Sequence, residues 1–215
     1  MPADTSIFTD RKDAGIQLAD ALLKHGIKAD IVLAIPRGGV PVGMVVAEKL
    51  RLPLKLYLVR KIGHPFNDEY AIGAVTENEL VLDESENVDH DYLEITIKKE
   101  RKRIEEMKNT FGLAATENDI LGKRVVLVDD GIATGSCMLL AINRIRKSGA
   151  KEIIVASPVC PVKTEVRIRQ IADKLIIINH PVHFAGIGAY FADFSQLTDN
   201  QVVDLIRNLP VKAIQ

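Results

Sequence analysis

No apolar stretch in this chain approaches the roughly 18 residues that a membrane-spanning helix requires. The opening Met1–Asp10 is polar and lacks the basic-then-apolar layout of a secretory leader. Cysteine is scarce, with Cys137 and Cys160 the two in the chain. Neither lies in a CxxC pair and the histidines do not cluster, so no zinc site is expected. Two unpaired thiols suit a reduced, cytoplasmic protein. An excess of one charge is missing as well: Lys and Arg total 28 against 29 Asp and Glu, a formal net charge of −1. That balance gives no general attraction to nucleic acid or to an acidic membrane, so an anion site here must be local. The basic run from Lys98 to Arg103 shares its helix with Glu94, Glu105 and Glu106 and has no interleaved aromatics; it reads as a solvated face. Two phosphate signatures are also absent. Gly135 is followed by Ser136 and Cys137, not by the Lys of a Walker A loop, and Gly186-Ile187-Gly188 lacks the third glycine of a dinucleotide fingerprint.

What is present is enough for a core. The chain has 215 residues, 47% of them hydrophobic, which suits a single domain over 1–215. Apolar runs alternate with helical patterns, so the expected class is α/β, a doubly wound parallel sheet. Strands are predicted at Ile31–Ile35, Leu54–Val59 (ending in Arg60-Lys61), Arg124–Val128, Glu152–Ala156 and Lys174–Ile178. Helices are predicted over Asp10–His25, Val42–Leu50, Ser136–Ser148, Lys163–Ala172 and Asp199–Leu209. Residues 62–112 depart from this rhythm. A loop at Gly63–Asn67, a hairpin of Ala71–Val75 and Glu79–Leu82, and a long charged helix over Asp89–Asn109 read as an inserted flap. That helix carries a stripe of Leu93, Ile97, Ile104, Met107 and Phe111, interrupted by Glu100. The stripe needs cover from the core or from a second subunit, as in a homodimer. Residues 180–215 read as a C-terminal cap.

The segment Arg124–Met138, RVVLVDDGIATGSCM, is the most informative. Four apolar residues in a row, Val125–Val128, suit a central strand covered on both faces. Asp129 and Asp130 follow at its carboxyl end, where open α/β sheets bind ligands. The small residues Gly131, Ala133, Thr134, Gly135 and Ser136 then open a helix whose first N–H groups favour an anion. Acceptors followed by donors suit a sugar diol carrying a phosphate. A second anion loop is expected at Pro36-Arg37-Gly38-Gly39, where the glycines permit unusual backbone angles and Arg37 supplies a bidentate cation.

These residues resemble the 5-phosphoribosyl 1-diphosphate (PRPP) motif of type I phosphoribosyltransferases. PRGGVPVG, VRKIG, AIGAV, VDDGIATG and DFSQ together resemble an uncharacterised bacterial and archaeal group of that family across nearly the whole chain. The resemblance implies the type I phosphoribosyltransferase fold and a PRPP site made of Arg37, Gly38, Gly39, Arg60, Lys61, Asp129, Asp130, Gly131, Ile132, Ala133, Thr134, Gly135, Ser136 and Cys137. Within it, Asp129 and Asp130 would take the ribose hydroxyls. The 133–137 backbone, with Thr134 and Ser136, would hold the 5-phosphate. Arg37 and Lys61 would meet the diphosphate. Cys137 stands where the family often has Thr or Ser.

The implied reaction moves 5-phosphoribose from PRPP to a nucleobase-like nitrogen acceptor and releases diphosphate. Asp129, Asp130, Arg37 and Lys61 would be the catalytic set. Mg²⁺ would be held mainly by the substrate's own oxygens near Asp129 and Asp130. The alternative is a non-catalytic PRPP-binding regulator. The acceptor is poorly specified. Ala133 stands where many 6-oxopurine transferases have Asp, which adenine-type enzymes do not require. Phe184 and Tyr190 are candidate stacking groups beside a competing reading as ordinary cap packing, and His64 and Glu69 are candidate proton-transfer groups. No nucleic acid or membrane partner is expected.

Overall fold

The structure is a computed structural model and describes residues 7–82 and 88–209. Its helices are α1 (Arg11–Lys24), α2 (Gly39–Leu50), α3 (His90–Phe111), α4 (Glu117–Ile120), α5 (Ser136–Lys147), α6 (Val162–Arg169) and α7 (Asp199–Arg207). The strands are β1 (Ile31–Ala34), β2 (Leu54–Leu56), β3 (Arg60–His64), β4 (Asn67–Val75), β5 (Leu80–Leu82), β6 (Arg124–Val128), β7 (Glu152–Val159) and β8 (Lys174–Asn179). A 3-10 turn, Ile187–Tyr190, lies in the C-terminal segment.

Five strands form one parallel sheet in the order β2-β1-β6-β7-β8. Strand alternation divides each run between two cores. Val126 and Val128 of β6 join Val32, Ala34, Ile154 and Ala156 beneath α1, α2 and α7. Val125 and Leu127 join Ile31, Leu33, Ile153 and Val155 beneath α5 and α6. Both faces of β6 are therefore buried, which is why its sequence is apolar without alternation. The architecture is α/β, with the doubly wound parallel sheet expected from the pattern.

The stretch after β2 differs from expectation. The second core strand stops at Leu56, and Arg60-Lys61 does not end it. Arg60–His64 opens a separate antiparallel sheet, β3-β4-β5, to which the predicted hairpin contributes the other two strands. Ile62, Ile72 and Val75 from that sheet pack against Ile104, with Leu93 and Ile97 alongside. Met107 and Phe111 reach the main core. The α3 stripe is thus covered within the chain. Glu100, in the middle of the stripe, is buried because it accepts from Arg60 Nε at 2.8 Å.

Candidate functional site at the switch between two strands

In the sheet order β1 and β6 are neighbours, with Ala34 opposite Val128. From β1 the chain leaves through α2 to β2 on one side; from β6 it leaves through α5 to β7 on the other. The strand order reverses between these two strands, and their connections diverge to open a crevice at the carboxyl ends. The loop 36–39 and the loop 129–135 are the two walls of that crevice. Sequence alone could place each loop after a strand, but adjacency of the strands rests on pairings about ninety residues apart.

The two walls touch. A methyl built on Gly38 would lie 2.0 Å from Asp130 Oδ2, and one on Gly39 would lie 2.9 Å from the Val128 carbonyl. Gly38 has φ −61° and ψ −36°, so the expectation of unusual backbone angles is not met there; the glycine is needed for space. The Pro36–Arg37 peptide is cis. Helix α2 begins at Gly39, earlier than expected, so the loop leads directly into its first turn. Arg37 is half-buried and its guanidinium lies 3.5 Å from Asp199 at the start of α7.

The second wall is held from behind. Ile132 N–H donates to Val159 at 2.8 Å, and the Ala133 carbonyl accepts from Thr164 Oγ1 at 2.7 Å. Arg167 donates to the Thr134 carbonyl at 3.4 Å. Gly135, at φ +84°, is the N-cap residue of α5, a left-handed position suited to glycine. It sets the N–H groups of Ser136 and Cys137 at the open helix start, where no preceding turn supplies an acceptor. Thr134 Oγ1 and Ser136 Oγ lie 3.3 Å apart. Ile187 of the cap covers Gly131 so closely that a methyl there would be 2.3 Å away.

The two aspartates have different surroundings. Asp129 is half-buried and its Oδ1 accepts the Asp130 N–H at 2.8 Å. Asp130 is 7% exposed and pairs with Arg11 Nε at 2.7 Å. Burial pushes both carboxyls upward; the neighbouring Asp130 charge adds to this at Asp129, and Arg11 opposes it at Asp130. The Cys137 thiol is pushed up to about 12 by burial and then by the Asp129 charge. Cys160 is likewise pushed up to about 12, by burial first. Both stay protonated at neutral pH and serve as packing groups.

The basic pair divides. Arg60 shares a strand face with Ile62 and turns onto α3, where Glu100 holds it. The strand period sends it to the opposite face from its neighbour Lys61. Lys61 lies opposite Ala74, a member of the core beneath α5, so it stands on the α5 side. The charges of both residues act on Cys137. Phe184 and Tyr190 stack on each other, ring centres 6.2 Å apart and planes at 16°, and belong to the cap cluster with Phe191 and Phe194. His64 lies at the β3–β4 turn beside Phe66 and Tyr70. The Glu69 side chain lies outside the described residues. A separate cleft of about 310 Å³ opens among Tyr57, Thr76, Thr116 and Arg144. Its cations Lys108 and Arg144 are already paired with Glu77 and Glu117.

Arg11 has no place in the sequence pattern, although its companions Asp130, Phe194 and Ser195 lie in the VDDGIATG and DFSQ segments. It donates to the Ser195 carbonyl at 2.9 Å and lies 3.9 Å over the Phe194 ring. One local signal existed: a cation in the first turn of a helix opposes the dipole, so Arg11 needed a partner elsewhere.

A parallel sheet whose switch point is walled by a glycine-arginine turn and an acid pair leading into a helix start is an α/β protein with its candidate ligand crevice at the carboxyl ends of the strands. The phosphoribosyl transferase domain family matches residues 5–192, and the chain belongs to that family. It is 36% identical over 202 residues to a Mycobacterium tuberculosis (strain H37Rv) protein named "Putative phosphoribosyl transferase Rv0571c", covering 92% of this chain and 46% of that protein. The chain therefore spans about half the length of the curated relatives it matches. It is 28% identical over 155 residues to the amidophosphoribosyltransferase of Rhizobium etli, covering 71% of this chain and 25% of that one. Among solved structures it is similar to TT1426 from Thermus thermophilus, with TM-score 0.74, 38% identity, and 94% and 98% of the two chains covered.

Proposed function

We propose that this chain transfers 5-phosphoribose from PRPP to a nitrogen acceptor and releases diphosphate. The observation that carries the reading is the contact between the Arg37–Gly39 turn and the Asp129–Asp130 pair at the switch point. Asp129 and Asp130 supply acceptors for the 2- and 3-hydroxyls. The first turn of α5, with Thr134 and Ser136, supplies donors for the 5-phosphate. Arg37, the Gly38-Gly39 backbone and Lys61 face the diphosphate.

The acceptor's nitrogen lone pair attacks the anomeric carbon, and the carbon–oxygen bond to diphosphate breaks with its electrons leaving on that oxygen. The acceptor nitrogen then gives up its proton to water. Positive charge grows on the ribose ring in the transition state and negative charge on the leaving group. Arg37 and Lys61 favour the second, while the aspartates hold the ring in line. Among the described residues no group of three or more His, Cys, Asp or Glu is placed to hold a metal ion. Mg²⁺ would be carried mainly on the substrate's own oxygens beside Asp129 and Asp130, where it would neutralise charge on the diphosphate.

Diphosphate release from PRPP and Mg²⁺ with a panel of nucleobases and simple amines tests the reaction, and titration calorimetry tests the site. Asp129→Asn is expected to weaken PRPP about ten- to a hundredfold, the range for one or more hydrogen bonds to an ionised carboxylate. Saturable binding without turnover across the panel would favour the regulator instead. An unchanged affinity in Asp129→Asn would remove the basis of both.

A further inference from the structure

Arg11 and Asp130 are 119 positions apart in sequence, yet each is almost entirely covered, with side chains 12% and 10% exposed. The guanidinium has three separate holds: Asp130 Oδ2, the Ser195 carbonyl and the face of Phe194. Phe194 packs in turn on Phe191, ring centres 4.8 Å apart, and Phe191 on Phe8 at 5.2 Å. Gly38 lies against the same Asp130 oxygen, where a methyl would be 2.0 Å from Oδ2. A carboxylate gripped by a guanidinium anchored at three points is fixed more firmly than in a surface ion pair, whose two long side chains must be ordered for little return.

We infer that Arg11 is the positioning residue of the sugar-binding carboxylates, a role that rests on the PRPP reading of this site. It occupies Asp130 Oδ2, while the Asp130 N–H occupies Asp129 Oδ1. Held in this way, the Asp129–Asp130 pair meets the two ribose hydroxyls in one fixed orientation. Arg11 touches no substrate atom; it acts through Asp130. Its planar fork suits this, since one nitrogen can serve the carboxylate while another serves Ser195. The diphosphate, by contrast, is bound by the opposite wall and does not depend on Arg11.

That separation gives the test. Calorimetry is run with Mg²⁺–PRPP and, separately, with Mg²⁺–diphosphate on the wild type, Arg11→Ala, Arg11→Lys, Asp130→Asn and the Arg11→Ala/Asp130→Asn double variant. Arg11→Ala should weaken PRPP on the order of tenfold or more and leave diphosphate affinity unchanged. Arg11→Lys should recover part of the loss. In the Asp130→Asn background, Arg11→Ala should cost little further, because the two residues act as a unit. Equal PRPP affinity in wild type and Arg11→Ala, equal weakening of both ligands, or additive losses in the double variant would each overturn the inference. A wild type that binds no PRPP would sink the underlying reading instead. Where circular dichroism shows Arg11→Ala unfolded, Phe194→Leu takes its place. It removes the ring under the guanidinium and should weaken PRPP in the same direction, and an unchanged affinity would again overturn the inference.

Discussion

Gly38 has an ordinary helical backbone, so its lack of a side chain must be explained by its neighbours. Asp130 lies where a β-carbon would go, and Arg11 prevents that carboxylate from moving aside. Gly38→Ala is therefore expected to destabilise the protein by about 1–3 kcal/mol, the range for forcing an extra methyl into a packed site. Urea denaturation checks this, and PRPP affinity should fall in the same variant because Asp130 is displaced. Gly135 is constrained differently: its φ of +84° makes any side chain strained before contacts are considered.

At the scale of elements, the entries into β1 and β6 are clamped by Asp30. Its carboxylate accepts from Arg124 Nη2 at 2.6 Å, from Nε at 3.0 Å and from the Arg124 N–H at 2.8 Å. These bonds, the side-chain ones first, hold the Asp30 carboxyl down to about 2. A folded-state value below the unfolded value of about 3.9 means that the contribution is present above about pH 4 and is lost as pH falls toward 2. Asp30→Asn should therefore be less stable than wild type at pH 5–7, and the difference should close as pH falls to 2. Denaturation midpoints across that range measure it. A different logic operates in α3. Its heptad-like stripe predicted a helix and a buried face, and Glu100 looked like a break in it. The break is filled by Arg60, a strand residue forty positions earlier. Strand β3 was missed because a three-residue link, 57–59, separates it from β2, and an unbroken apolar run hides the change of sheet.

At the scale of the molecule, the segment before α1 is tied to the segment after β8. Phe8 bridges Phe191, with the Phe8 N–H donating to Tyr190 and the Ala192 N–H donating to Phe8. Phe8 is 1% exposed. Phe8→Ala should cost about 3–5 kcal/mol, the usual loss for a buried aromatic ring, readable from urea unfolding. The same variant should loosen the cap against α1, seen as faster amide exchange at residues 190–195, since the tie also seats Ser195 and Phe194 around Arg11. Phe184 and Tyr190 belong to this closure and stack on one another.

Local chemistry determined a good deal by itself. The apolar run Val125–Val128 suits a strand covered on both faces, and the small residues after Asp130 suit a helix start with exposed donors. Both follow from side-chain volume and backbone hydrogen bonding within a dozen residues. The turn at Arg37–Gly39 and the acid pair were legible as separate features for the same reason. Tertiary structure decided that β1 lies beside β6 and so brings the two loops into contact. It also decided that Arg60 turns away to Glu100, and that Arg11 reaches Asp130 from the first turn of α1. Strand order and ion pairing across such separations depend on which surfaces meet when the layers pack, and no local pattern of residues encodes that choice.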